Sequence, residues 1–339
     1  MRGPNATSRP GLIRSQLPPA AGAAVMATGI LSVGLHLTGH AVLSGILLAL
    51  ASALWLALAA AFASHLVRDP ARWESEADTP PALAAVAATT VLGTRFSLFG
   101  WQTLAEALLA LAVLVWPVLL VEAVRHWEPR MPGGVFLCCV ATEGLAVQAA
   151  TLASADGASW LGHTGMVLFW GGLVLYVLAL FHFDLRQLAT GAGDQWIAGG
   201  ALAISALAAS ELVTTGLWND DDTGALRSAS VLLLTLDVAW YVVLVVAEVW
   251  WPRPRYDIRR WSTAFPMGMT AAAALSVGTA ADAPWLRGPG QVLLWIAVAV
   301  WLAVLVGALR SLGPLGPHGP LGSLRSLRSL RSLRSRAPR

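Results

Sequence analysis

Ten apolar stretches divide this chain, and successive stretches differ in the size of their side chains. The odd-numbered ones, such as AAGAAVMATGILSVG, ALAAVAATTVLGT and STAFPMGMTAAAALSVG, consist mostly of small, lightly polar residues. The even-numbered ones, such as ALLALAVLVWPVLLV and VLLWIAVAVWLAVLV, are bulky. In matched windows, Ala, Gly, Ser and Thr fill 55 of 95 positions in the odd set and 27 of 95 in the even set. Small residues let helix backbones approach one another, whereas Leu, Val and Trp suit lipid. The expected fold is an all-α polytopic membrane protein. Its ten transmembrane helices pair as five hairpins, with the odd helices forming an inner ring and the even helices an outer one. An inner ring of small side chains either packs solid or encloses a pathway.

Length and charge agree with this reading. A bilayer-spanning helix needs about 20 apolar residues, and 56% of this chain is hydrophobic while 12% is charged. The spans occupy 17–311. They leave an arm at 1–16 and a basic low-complexity tail at 312–339, which repeats Ser-Leu-Arg four times. All 22 basic residues are Arg, and 19 of them fall in the two tails and the loops after even-numbered spans. Arg227 and Arg287 lie in the opposite loops and Arg95 inside the third span. The positive-inside rule then places both termini in the cytoplasm, with the helices in the cell membrane. The basic balance reports topology, so no nucleic-acid partner is expected. Trp73, Trp101, Trp127, Trp160, Trp196, Trp218, Trp251 and Trp285 sit near span ends, where an interfacial aromatic belt belongs.

Few residues are equipped for covalent or metal chemistry. Cys138 and Cys139 are neighbours on one helix and point about 100° apart, a poor geometry for a disulfide. They read as buried thiols, too few for a metal site. No His spacing resembles a metal motif, and no P-loop, HExxH or credible GxSxG occurs. No polar cluster converges near one membrane face. The chain is therefore not expected to be an enzyme or to hold a cofactor.

The sharpest local signal is Trp261-Ser262-Thr263-Ala264-Phe265-Pro266-Met267-Gly268-Met269 in the ninth span. Pro266 removes a backbone hydrogen bond and tends to kink a helix. Phe265 is the only aromatic residue between Trp261 and Trp285. On a helix of small residues its ring either plugs a central path or fills a packing gap. Candidate lining residues of the inner ring are Thr28, Gly29, Ser32, Thr89, Gly93, Thr142, Glu143, Ser205, Pro266 and Thr270. The hydroxyls either hydrate an ion or bond back to the carbonyl four residues earlier. Charges in mid-membrane cost on the order of 3 kcal/mol on insertion scales, so each needs a partner or water. Arg95 and Glu211 lie at similar depth and form a candidate pair. Glu143 has no basic residue at its depth and is expected to be a neutral, hydrogen-bonded group. Asp237 and Glu106, on even spans, are expected to bond inward or between protomers.

The five-hairpin pattern, VMATGILS in the first span and RRWSTAFPMGM in the ninth together resemble the tellurite-resistance/C4-dicarboxylate transporter family, which includes the slow-type anion channels. The resemblance covers about residues 17–311. It implies a homotrimer with a pore in each protomer, lined by the odd helices and blocked by a Phe of the ninth helix, here Phe265. The implied substrates are small anions: chloride, nitrate, a dicarboxylate such as malate, or sulfite. The implied partners are those anions and the lipid bilayer. A carboxylate in an anion path repels unless protonated, so Glu143 also suggests an alternative, a proton-coupled anion transporter.

Overall fold

A computed structural model describes residues 22–68, 80–253 and 256–312. The arm at 1–16, Trp73 and the tail beyond Leu312 lie outside the described residues. Ten helices of 15 residues or more dominate: α1 (Gly22–Leu37), α2 (Ala41–Arg68), α3 (Ala84–Leu98), α4 (Gln102–Arg125), α5 (Leu137–Asp156), α6 (Ser159–His182), α7 (Ile197–Thr214), α8 (Asp220–Trp250), α9 (Trp261–Ala280) and α10 (Arg287–Leu312). Among the described residues, seven helical segments are long and apolar enough to cross a membrane. These correspond to α2, α4, α5, α6, α7, α8 and α10. Among the described residues the only β pairing is an isolated bridge between Met131 and Phe183. The protein is an all-α polytopic membrane protein.

Side-chain size sorts the helices into two shells. The odd helices close a ring in the order α1, α3, α5, α7, α9 and back to α1. Each even helix lies over the groove between two ring members: α2 on α1 and α3, α4 on α3 and α5, α6 on α5 and α7, α8 on α7 and α9, α10 on α9 and α1. The apolar windows of α5 and α7 are 100% and 83% buried, against 11–28% for the five even helices. Glycine brings ring backbones together. A methyl on Gly29 would stand 2.7 Å from Val91 Cγ1, and one on Gly200 would stand 2.9 Å from Pro266 Cβ.

Polar latches join the shells at one depth. At this depth one hydroxyl on each ring helix bonds back to the carbonyl four residues earlier: Thr28 to Ala24, Thr89 to Ala85, Thr142 to Cys138, Ser205 to Ala201 and Thr270 to Pro266. Three also accept an indole N–H from the outer shell. Trp301 Nε1 donates to Thr28 at 3.0 Å, Trp55 Nε1 to Thr89 at 2.9 Å and Trp116 Nε1 to Thr142 at 2.9 Å. The other two meet carboxyl groups. Ser205 Oγ lies 2.9 Å from Glu143 Oε1, and Thr270 Oγ1 lies 3.3 Å from Asp237 Oδ1. A Trp at mid-helix thus has its ring in the apolar layer and its N–H on a ring hydroxyl.

One aromatic expectation is corrected. Trp196 is not in an interfacial belt: it is fully buried at the start of α7 and meets Tyr241 edge-on, with ring centroids 5.6 Å apart. Trp101, Trp160, Trp251 and Trp285 are exposed.

Removing one latch donor tests this arrangement. Trp301→Phe keeps the ring and leaves Thr28 without its donor. It is expected to cost about 1 kcal/mol, read as a lowered unfolding midpoint in detergent. An unchanged midpoint would mean that the latch does not contribute.

Candidate functional site

Two separate cavities are lined by all five ring helices, so both lie on the ring axis. The larger, about 270 Å³, sits where the ring helices begin. Its wall includes Ala23 and Met26 of α1, Ala84 of α3, Leu137 of α5, Ile197 of α7, and Ser262 and Phe265 of α9. The smaller, about 20 Å³, lies further along, between Ile30, Thr90, Thr94, Gly144, Ile204 and Met269 among others. That is room for about one water-sized group. Phe265 and Met269 are four residues apart and share a face of α9. Phe265, buried to 1% exposure, is the deepest residue that α9 gives to the chamber.

Short turns shape the chamber. α3, α5, α7 and α9 each start from a 3₁₀ turn, at Pro80–Leu83, Gly133–Phe136, Asp194–Trp196 and Ile258–Arg260. The positive ends of these helix dipoles therefore converge on the chamber. Two glycines let the turns meet. A side chain on Gly133 would overlap the Asp194 backbone. Gly193 adopts φ +135°, and a methyl there would stand 2.6 Å from the Arg259 carbonyl oxygen. Among the described residues, Asp194, Arg259 and Ser262 are the polar side chains in the wall. Arg259 pairs with Asp257, Nε to Oδ1 at 3.2 Å and Nη2 to Oδ2 at 3.3 Å. Burial alone would push the Asp257 carboxyl up. Hydrogen bonds from the Arg259 side chain and backbone outweigh it and hold the group below its ordinary value. Nearby, Glu248 takes Arg260 at 2.6 Å and Arg253 at 3.1 Å, fastening the α8–α9 connection.

Of the residues singled out in the sequence, Phe265 lines an axial cavity. Thr28, Thr89, Thr142 and Thr270 bond to the outer shell as latches, Ser205 bonds to Glu143 of the neighbouring ring helix α5, and neither cavity is lined by any of the five. Gly29 faces Val91, Gly93 faces Gln148 and Pro266 faces Gly200, all within ring contacts. Ser32 Oγ donates to Ser44 O at 2.8 Å, at the α1–α2 seam. Glu143 also turns away from the axis. A methyl on Gly172 of α6 would come within 2.6 Å of its carboxyl carbon.

The candidate pair of Arg95 and Glu211 is not formed. Arg95 donates to Ser44 Oγ at 2.9 Å and Ser32 Oγ at 3.2 Å, while Glu211 Oε1 accepts from Ser276 at 2.8 Å. Each found a hydroxyl nearer than the other charge. Asp237 turns inward to Thr270, and Glu106 is exposed on α4. Cys138 and Cys139 are free and buried, and no group of three metal-ligating residues occurs among the described residues.

The axis-facing residues Ile30, Val33, Val147, Ile204 and Leu207 escaped sequence reasoning because they carry no polar mark. Their signal is spacing: Met26, Ile30 and Val33 on α1, and Ile197, Ile204 and Leu207 on α7, each form one helical stripe.

Residues 16–309 match the voltage-dependent anion channel family. The chain belongs to that family. The match spans the ten-helix body up to Leu309 in α10, and it makes passage of anions across a membrane the general activity. The chain is also similar to the uncharacterized membrane protein Rv1735c of Mycobacterium tuberculosis strain H37Rv. The two are 31% identical over 150 residues, covering 42% of this chain and 74% of the relative. The uncharacterized membrane protein MT1776 of strain CDC 1551 / Oshkosh matches equally. In this anion channel family member, the ring axis and its two cavities are the candidate path.

A double-mutant cycle checks the separation of the two buried charges. Arg95→Met and Glu211→Gln are expected to lower unfolding stability additively, within about 0.5 kcal/mol. A larger coupling energy would restore the ion pair.

Proposed function

We propose that this protein passes small anions along the axis of its inner ring, and that Phe265 closes the path. The observation that carries the reading is the position of Phe265, buried on the axis-facing stripe of α9 between the chamber and the narrow void. Three features support an anion as cargo. The inner helix dipoles present their positive ends to the chamber, the void beyond it is walled mostly by apolar side chains with the two threonines Thr90 and Thr94, and no carboxylate of the described residues lines it. The family match argues the same way. In this reading all ten helices cross the cell membrane, the chamber opens to the cytoplasm with both termini, and three protomers assemble, each with its own path. Chloride, nitrate, sulfite and dicarboxylates such as malate are the candidate cargoes.

Flux through purified protein in liposomes tests the plug. Phe265→Ala is expected to raise chloride efflux at least about tenfold, since a tenfold rate change needs only about 1.4 kcal/mol off the barrier. Efflux equal to that of the native protein would remove Phe265 as the gate.

The alternative carrier reading gives Glu143 a proton to move with the anion. Its carboxyl sits in the α5–α6–α7 seam, away from both axial cavities. Glu143→Gln is therefore expected to leave the pH profile of anion flux unchanged. A flattened profile would favour coupled transport.

A further inference from the structure

One buried charge has no partner of opposite sign among the described residues. Arg95 of α3 is 2% exposed, and its hydrogen bonds go to serine hydroxyls alone. Nε donates to Ser32 of α1 at 3.2 Å and Nη2 to Ser44 of α2 at 2.9 Å. Nη1 has no hydrogen-bond partner among the described residues, and the Phe99 ring lies 5.7 Å from Cζ. The ion pairs of the described residues are made by Arg125, Arg253, Arg259 and Arg260. Burying an unpaired charge is costly. A buried carboxyl can take a proton and lie neutral, an option that a guanidinium does not have.

This charge stands behind the wall of the narrow void. Thr94 of α3 and Val33 of α1 line the void, and their chain neighbours Arg95 and Ser32 bond to each other. Glu143 also neighbours a void residue, Gly144, but its carboxyl is held on Ser205 in the α5–α6–α7 seam. We infer that Arg95 makes the narrow part of the path selective for anions over cations, acting through its field and not through contact. An ion in a void of about 20 Å³ cannot carry a full hydration shell, and salt screens a buried charge only weakly. At the spacing of packed helices, on the order of 10 Å, one unit charge in a protein interior changes an anion's population about tenfold. A cation is disfavoured to the same degree. The inference rests on the axial-path reading and names the residue behind its charge preference.

Reversal potentials in planar bilayers under a potassium chloride gradient read the effect, with full-length Phe265→Ala protein as the parent so that current is measurable. Adding Arg95→Gln is expected to lower the chloride-to-potassium permeability ratio about tenfold, and Arg95→Lys to keep it within about threefold of the parent. Ser44→Asp keeps the arginine and gives it a carboxylate. It is expected to lower the ratio as far as Arg95→Gln does, while unfolding no more readily. A merely structural Arg95 predicts an unchanged ratio in Ser44→Asp, whose new ion pair leaves the seam joined. The parent's ratio retained in Arg95→Gln or in Ser44→Asp would overturn the inference and leave the path reading standing. A ratio in Arg95→Lys as low as in Arg95→Gln would do the same. If Arg95→Gln does not fold, Ser44→Asp decides alone. Absence of chloride current through the parent itself would overturn the path reading, and the inference with it.

Discussion

Close approach of helix backbones is the constraint on which this structure depends. In lipid, apolar surface gains little by being covered, so helices associate through packing and hydrogen bonds. Five inner helices rich in Ala, Gly, Ser and Thr reach contact distances that Leu or Trp would forbid. At Gly29 and Gly200 a single methyl would stand under 3 Å from the neighbouring side chain. Bulk is exported to the even helices, whose apolar faces remain largely uncovered. Ring closure then places one stripe of each inner helix on a common axis.

The latches show how polar groups are disposed of in such a body. Back-bonded hydroxyls on the ring face outward and receive indole N–H groups or approach carboxyl groups. Their removal to the seams leaves a mostly apolar axis, on which Thr90 and Thr94 are the hydroxyls of the narrow void. The same outward turn takes Glu143 off the path. Charge is concentrated instead where the ring helices begin, around Asp194, Arg259 and the Glu248 clasp.

The shell order was legible because it rests on residue size, which a sequence states outright. Phe265 was legible because it interrupts a run of small side chains. The lining residues were not. Hydroxyls at Thr28, Thr89 and Thr142 suggested a wet path, yet a partner on another helix claimed each of them, and no sequence spacing reveals that partner. Arg95 and Glu211 were matched by depth alone. Depth says nothing of azimuth, and Ser44 and Ser276 stood closer. Asp194 and Arg259 lie in short turns whose meeting depends on Gly133 and Gly193, and such tertiary contacts between distant turns leave no local periodicity.

The central claim is that the ring axis, and not the seam between shells, carries the anion. Cysteines introduced one at a time at Ile204 and Val147 on the axis and at Thr89 in the α2–α3 seam, each in Phe265→Ala protein with Cys138 and Cys139 replaced by Ala, separate the two. A charged thiol reagent added during chloride efflux is predicted to block the Ile204→Cys and Val147→Cys proteins and to spare Thr89→Cys. Block at the seam with free efflux at both axial positions would contradict the account.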